Sequence, residues 1–137
     1  MRKLMSTHYS AGAFNAATLF LRLFAGILLM NHGYGKLTHF NETAAHMPHL
    51  FFGENGGSVT AALVIFAEFF CALFVILGLF TRFASLVIII NMGYALIVAH
   101  NWDVFGKGEA AMLYLGAFIV LLLLGPGKVS VDGMTGK

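Results

Sequence analysis

The stretch Ser58–Arg82, SVTAALVIFAEFFCALFVILGLFTR, is an unbroken apolar run with one carboxylate, Glu68, near its middle. A helix of roughly 20 apolar residues crosses the hydrocarbon core of a bilayer, so this run is long enough to span a membrane. A carboxylate at that depth costs about 2.5–3.5 kcal/mol on insertion scales and normally faces protein or a cavity. The run therefore predicts a membrane-spanning helix whose acidic side chain needs a partner.

The composition of the whole chain agrees with a membrane protein. Of its 137 residues, 59% are hydrophobic and 10% are charged, whereas soluble domains carry about 25% charged residues. The net charge of +2 is small and no basic arm is present, so we expect no nucleic-acid partner. Cys71 is the only cysteine, which excludes an intrachain disulfide and predicts an inert buried thiol. We expect one membrane domain over residues 1–137.

Three more apolar segments accompany the opening stretch. Together they predict an all-α, four-transmembrane-helix bundle with spans at residues 14–37, 58–81, 83–102 and 109–124. A very short turn at Thr81-Arg82 would make the second and third spans antiparallel neighbours. Five basic residues near the terminal side oppose two on the other, which favours cytoplasmic N- and C-termini. The five are Arg2, Lys3, Arg82, Lys128 and Lys137, and the two are Lys36 and Lys107.

An internal match suggests a duplication. Leu19–Tyr34, LFLRLFAGILLMNHGY, aligns without a gap with Leu79–Tyr94, LFTRFASLVIIINMGY, and Leu, Phe, Arg, Asn, Gly and Tyr coincide. Both segments are predicted to run from inside to outside. The match leaves open an arrangement of two helical hairpins with the same orientation, a repeat whose axis follows the membrane normal.

Seven polar side chains in or beside the spans are candidates for an intramembrane polar pocket. They are Arg22, His32, Lys36, Glu68, Asn91, His100 and Glu109. Ionisable groups at membrane depth indicate a functional site by default, and a structural network that fixes helix register is the alternative. Arg22 is the expected partner of Glu68, because its long side chain reaches toward mid-membrane from a face that carries Gly26 and Gly33.

Simpler roles remain open for some of these residues, and so does the chemistry. Lys36 could extend to the lipid head groups, and Glu109 could be favoured by the dipole at the start of the fourth span. A quinone head group would use His32 or His100 as hydrogen-bond donor and Glu68 or Glu109 as proton acceptor. Haem would need the two histidines to face each other. No hydrolytic triad or phosphate-binding loop is recognisable, and the catalytic residues are unknown.

The longest connection, residues 38–57, is rich in histidine. His39, Glu42, His46 and His49 are spaced so that one helical face would carry all four, which is typical of metal ligands. Pro48 interrupts that face, so we expect no metal and keep these four residues only as an alternative. The simpler interpretation is an interfacial helix followed by apolar residues that enter the lipid. Those residues are Leu50, Phe51 and Phe52.

Several motifs follow one another in a recognisable order. They are R-x-F-x-G-I-L-L-x-x-H-G-x-x-K-L at Arg22–Leu37, A-E at Ala67-Glu68, L-G-L-F-T-R at Leu77–Arg82, His100, G-x-G-E at Gly106–Glu109 and G-P-G-K-V-S-V-D at Gly125–Asp132. In this ordered set the chain resembles the DoxX family of small four-helix inner-membrane proteins. The resemblance covers nearly the whole chain.

The resemblance implies a function only in outline. The family name comes from a membrane subunit linked to quinone reduction coupled to sulfur-compound oxidation, and related members are associated with oxidative or thiol stress. We therefore expect a quinone-associated subunit or accessory of a membrane oxidoreductase or stress-response system, with quinone as the ligand. The expected partners are the lipid bilayer, other redox subunits or a second copy. The alternatives are a non-catalytic membrane scaffold and a small-solute or proton pathway around Glu68.

Overall fold

A computed structural model describes residues 4–48 and 53–136, apart from the side chain of Glu54, and its regular structure in these ranges is helical. The helices are α1 (Ala11–Thr38), α2 (Phe40–His46), α3 (Gly56–Leu77), α4 (Thr81–Ala99), α5 (Glu109–Leu124) and α6 (Val131–Met134), with a short 3₁₀ turn at Gly53–Asn55. The prediction of an all-α fold is confirmed. Within the described ranges, α1, α3 and α4 are long and apolar enough to cross a membrane, and α5 is apolar but shorter.

The four long helices enclose one apolar core. Both α1 and α4 pack against α3 and against α5. Alanine, cysteine and aliphatic side chains fill the space between the helices, together with the ring of Phe118. This core separates two polar regions, one around Arg22 and one around Glu68. We call the side where α1 begins and α5 ends the terminal side.

The link between α3 and α4 differs from the predicted one. Helix α3 ends at Leu77, and Gly78 and Phe80 both adopt left-handed backbone conformations, with φ of 73° and 48°. Glycine adopts this conformation at no steric cost, which is why helices often end there. Thr81 already begins α4, so the turn expected at Thr81-Arg82 lies instead at residues 78–80.

Arg22 stabilises the terminal side of the fold. Its guanidinium donates to the carbonyl oxygens of Val75 at 2.9 Å and Ile76 at 2.9 Å, in the last turn of α3. It also donates to the carbonyls of Pro126 at 3.0 Å and Val129 at 2.7 Å, beyond the end of α5. The guanidinium thus satisfies carbonyls that the end of a helix leaves unpaired. It also holds residues 125–136, which we call the C-terminal segment, against α3.

Asp132 completes the same region from the C-terminal segment. Its carboxylate accepts from the backbone N–H groups of Phe80 and Thr81, both at 3.1 Å. Its own N–H donates to the carbonyl of Gly78 at 2.9 Å. A carboxylate at this position caps the N-terminus of α4 and is favoured by the helix dipole. The C-terminal segment is therefore an integral part of the fold.

Two π-helical turns widen the long helices on the side away from the termini. One is Phe66–Cys71 within α3, and the other is Ala95–Ala99 at the end of α4. A Cβ atom built on Gly33 would lie 2.6 Å from the carbonyl carbon of Glu68, so α1 packs directly on the first of these turns. On Gly26 it would lie 2.7 Å from the side chain of Ile76. The face of α1 that carries Gly26 and Gly33 therefore packs directly against α3.

Candidate functional site

Glu68 forms an ion pair with Lys36. The Nζ atom of Lys36 lies 2.7 Å from one carboxylate oxygen of Glu68 and 2.8 Å from the other. Asn91 donates from Nδ2 to the Oε1 atom of Glu68 at 3.2 Å. Glu68 is 4% exposed, so protein side chains replace the water that a carboxylate loses on burial. Helices α1, α3 and α4 each contribute one side chain to this cluster.

The prediction that Arg22 pairs with Glu68 is wrong. Gly33 packs against the backbone of Glu68, and Arg22 lies roughly 16 Å from Gly33 along α1, toward the terminal side. Lys36 is one turn beyond Gly33 and reaches the carboxylate instead. The Lys36 side chain remains 33% exposed even though its Nζ atom contacts the buried carboxylate.

Two cavities adjoin the ion pair. The first, of about 300 Å³, lies between α1, α4 and α5, and its polar lining consists of His32, Lys36, Glu68, His100, Lys107 and Tyr114. The second, of about 450 Å³, is bounded by α1, α3, α4 and the C-terminal end of α2. Its polar lining consists of Lys36, His46, Glu68, Asn91, Tyr94 and His100. Lys36, Glu68 and His100 line both cavities. The ion pair therefore stands at the boundary between two spaces lined by hydrogen-bonding groups.

Five of the seven candidate pocket residues line these cavities: His32, Lys36, Glu68, Asn91 and His100. The structure does not bring the other two to them. Arg22 lies on the terminal side, and Glu109 is exposed in the first turn of α5, where a helix N-terminus favours an anion. The ring of His32 contacts Tyr114 edge to face, with centroids 6.0 Å apart.

Three polar side chains of the cavities were missed by the sequence analysis: Tyr94, Lys107 and Tyr114. The hydroxyl of Tyr94 is buried and has no hydrogen-bond partner among the described residues. A signal for Tyr94 was present, because it follows Asn91 by three residues and so lies on the same helical face. A tyrosine inside an apolar span still needs a partner for its hydroxyl.

The histidine-rich connection is only partly described. Within residues 4–48 and 53–136, no group of three or more His, Cys, Asp or Glu side chains is arranged to hold a metal ion. The Nδ1 atom of His39 lies 3.1 Å from the carbonyl oxygen of Gly35, and that of His46 lies 2.8 Å from the carbonyl oxygen of Glu42. His49 and the apolar residues 50–52 lie outside the described residues.

The sequence of the chain matches the model of a known protein family. The DoxX family model matches residues 17–101, which is more than half of the chain. The chain belongs to the DoxX family. The matched region contains Lys36, Glu68, Asn91 and His100, and it ends before Tyr114 on α5. The resemblance noted from the ordered motifs is therefore confirmed.

Curated relatives of this DoxX protein match over nearly their full length. Inner membrane protein YphA of Escherichia coli K12 is 29% identical over 135 residues, covering 91% of this chain and 95% of YphA. Inner membrane protein YqjF of the same organism is 28% identical over 130 residues, covering 90% and 95%. An uncharacterized protein of Haemophilus influenzae is 30% identical over 122 residues, covering 82% and 86%. No solved structure matches the chain.

Proposed function

We propose that this DoxX protein is a multi-pass protein of the inner membrane that binds a quinone head group beside the Lys36–Glu68 ion pair. It would act as a subunit or accessory of a membrane oxidoreductase or stress-response system. Three apolar helices of spanning length and a shorter apolar fourth support the membrane assignment, as do two relatives named as inner membrane proteins. In this proposal α5 is the fourth span and the termini are cytoplasmic.

One observation carries the quinone proposal: a buried carboxylate, already paired with a cation, borders cavities lined by further hydrogen-bonding side chains. Quinone carbonyls accept hydrogen bonds, which Lys36 and His100 can donate. Reduction of a quinone to a quinol takes up two protons, and Glu68 and His100 are groups able to exchange them. The proposal assigns binding and proton exchange to this chain, with electrons supplied by a partner oxidoreductase.

The ligand-binding proposal is tested with the single tryptophan of the chain. Trp102 follows His100 by two residues, so a quinone beside His100 is expected to quench its fluorescence. We expect saturable quenching by a short-chain ubiquinone in detergent. Glu68→Gln should fold and weaken binding of the reduced quinol form by about tenfold, because a quinol hydroxyl donates a charge-assisted hydrogen bond to the carboxylate, worth roughly 1.5–3 kcal/mol. Glu109→Gln removes an exposed carboxylate outside both cavities and serves as the matched control.

The two alternative functions make different predictions for the same protein. A non-catalytic scaffold would bind no quinone, and crosslinking would recover a stoichiometric partner. A proton or solute pathway would give a flux into proteoliposomes that depends on Glu68. The core between Glu68 and Arg22 consists mainly of apolar side chains, among them Leu29, Val75 and Phe118, and the hydroxyl of Ser85 on α4 is also buried. A wild-type protein that binds no quinone would overturn our proposal.

A further inference from the structure

We infer that the site holds the head group and the hydrocarbon tail of one ligand in two adjoining spaces. The tail of an isoprenoid quinone lies in an apolar groove between α3 and α4, and Tyr94 donates a hydrogen bond to a head-group carbonyl. This inference rests on the proposed function, because it specifies how the same ligand is held.

The groove has the character of a tail site. Its volume is about 420 Å³, and its walls are mostly apolar side chains of α3 and α4, among them Leu63, Phe66, Val87 and Ile90. Leu63 is 55% exposed and Ile90 is 65% exposed, so the groove opens outward from the helices. In a membrane these positions face lipid, and an isoprenoid chain can enter the groove laterally.

The groove adjoins the polar cavity of about 450 Å³. Val64, Asn91 and Tyr94 line both spaces. The polar cavity holds the Lys36–Glu68 pair, and the groove leads away from it toward lipid. A molecule that fills both must join a hydrogen-bonding head group to a hydrocarbon tail.

Tyr94 is the donor at the junction of the two spaces. Its hydroxyl is buried without a hydrogen-bond partner among the described residues, which is unfavourable unless a ligand supplies an acceptor. The other polar groups on the groove wall are already engaged. Asn91 donates to Glu68, and the hydroxyl of Thr60 donates to the carbonyl of Gly56 at 2.8 Å. A ligand carbonyl is therefore expected at the Tyr94 hydroxyl.

Charge favours a neutral quinone over an anionic lipid as the occupant. A fatty-acid carboxylate or a lipid phosphate would bring a second negative charge close to Glu68 and compete with it for Lys36. A quinone head group is uncharged and leaves this ion pair intact.

Calorimetric titration of the detergent-purified protein tests the inference with one benzoquinone head group, either tail-less or carrying a ten-carbon tail. We expect the tailed compound to bind the wild type at least about tenfold more tightly, because the tail buries apolar area in the groove. Ile90→Trp fills the groove and should remove this advantage, leaving the affinity of the tail-less compound unchanged. Leu86→Trp, at an exposed position of α4 outside the groove, is the control.

The role of Tyr94 has its own matched pair of variants. Tyr94→Phe should weaken both compounds equally, by about five- to tenfold, since it removes one hydrogen bond to the shared head group. Tyr34→Phe alters the aligned tyrosine of α1, which is 56% exposed and lines none of these spaces, and should leave binding unchanged.

The outcomes separate the inference from the proposed function. Equal wild-type affinities for the tailed and tail-less compounds would overturn the groove assignment while quinone binding stands, and this comparison needs no variant to fold. Tight competition by oleate or an anionic phospholipid would overturn the choice of occupant. Absence of binding by both quinones would overturn the proposed function together with the inference.

Discussion

At the residue scale, the ion pair joins a buried carboxylate, Glu68, to a partly exposed lysine, Lys36. The carboxylate is almost fully buried, whereas the lysine side chain is one-third exposed. Removing one partner of a fully buried pair costs about 3–5 kcal/mol, because the remaining charge stays desolvated. The partial exposure of Lys36 reduces that cost, and hydrogen bonding by Asn91 keeps the carboxylate partly compensated. The buried carboxylate is therefore compensated by two partners, while the lysine side chain stays partly accessible.

A double-mutant cycle at Lys36 and Glu68 measures this pair directly. Lys36→Met should destabilise the protein by about 1–3 kcal/mol, and combining it with Glu68→Gln should recover part of the loss because no unpaired charge remains. Thermal unfolding in detergent provides the readout. Lys107→Met, which changes a cavity-lining lysine without an ion pair to Glu68, should have little effect. Simple additivity of the two substitutions would contradict the direct pairing.

Arg22 hydrogen-bonds to backbone carbonyls on the terminal side, away from the Lys36–Glu68 pair. Arg22→Lys should cost about 3 kcal/mol of stability, because an ammonium cannot serve the four carbonyls that the guanidinium contacts. The same substitution at the exposed, aligned position, Arg82→Lys, is the control. Limited trypsin proteolysis should show earlier cleavage at Lys128, an exposed residue beyond α5, in the Arg22 variant only. Equal resistance of the two variants to proteolysis would contradict the prediction that Arg22 holds the C-terminal segment in place.

At the element scale, the π-helical turn of α3 packs against the face of α1 that carries Gly33. Gly33 sits against the backbone at Glu68, and no side chain fits between the two helices there. This contact sets the relative height of α1 and α3, which in turn brings Lys36 to the carboxylate. π-Helical turns occur frequently at functional sites, and here one of them carries the acid itself. Helix geometry and the polar site are thus coupled.

Substitution of Gly33 tests that coupling. Gly33→Ala should destabilise by about 1–3 kcal/mol, because its Cβ would meet backbone atoms that cannot move without shifting a helix. Gly93→Ala is the matched control at the aligned position, where a Cβ atom meets nothing within 4 Å. Differential scanning fluorimetry in detergent distinguishes the two variants. Equal thermal midpoints would indicate that α1 does not rest on this turn.

The aligned segments of α1 and α4 therefore play different parts. Arg22 is buried and Arg82 is exposed, and Gly33 is packed whereas Gly93 is open. Either hairpin of a duplicated pair can diverge in this way once its neighbours differ. The arrangement of two hairpins in the same orientation stays a prediction, supported by the sequence match alone.

At the scale of the whole molecule, the buried charged groups lie on the two sides of a mainly apolar core. Arg22 and Asp132 close the terminal side through backbone hydrogen bonds, and the Lys36–Glu68 cluster occupies the other side with its cavities. Helix α5 is 16 residues long, roughly 24 Å, which is shorter than the typical hydrocarbon core. Its proposed span requires local thinning of the bilayer or burial of its ends among the other helices.

Reporter fusions test the proposed topology. Fusions after Met5 and Lys137 should give cytoplasmic activity, and fusions within residues 42–57 should give external activity, because the basic residues are concentrated on the terminal side. A fusion after Gly106 should also be external, because it follows the third span, and a cytoplasmic C-terminus then requires α5 to cross the membrane. An external C-terminus would contradict the four-span arrangement with both termini inside.

The membrane class, the helical fold and the family could be predicted from the sequence, because they depend on properties that are local along the chain. The length of an apolar run predicts a membrane-spanning helix, and the ordered motifs predict membership of the family. The need of Glu68 for a partner also followed from sequence, since desolvation of a carboxylate depends only on its depth. Glu109 could not be placed, because its distance from Glu68 depends on how α5 packs rather than on where it begins.

The identity of the partner was decided by tertiary structure. Lys36 rather than Arg22 reaches Glu68 because the contact of Gly33 with the widened turn sets the register between α1 and α3. Tyr94 lines both the second cavity and the groove because both spaces lie beside its face of α4. The sequence by itself determined which groups must be satisfied within the membrane. Packing between distant segments determined which groups satisfy them, because side-chain contacts depend on helix register that no local pattern encodes.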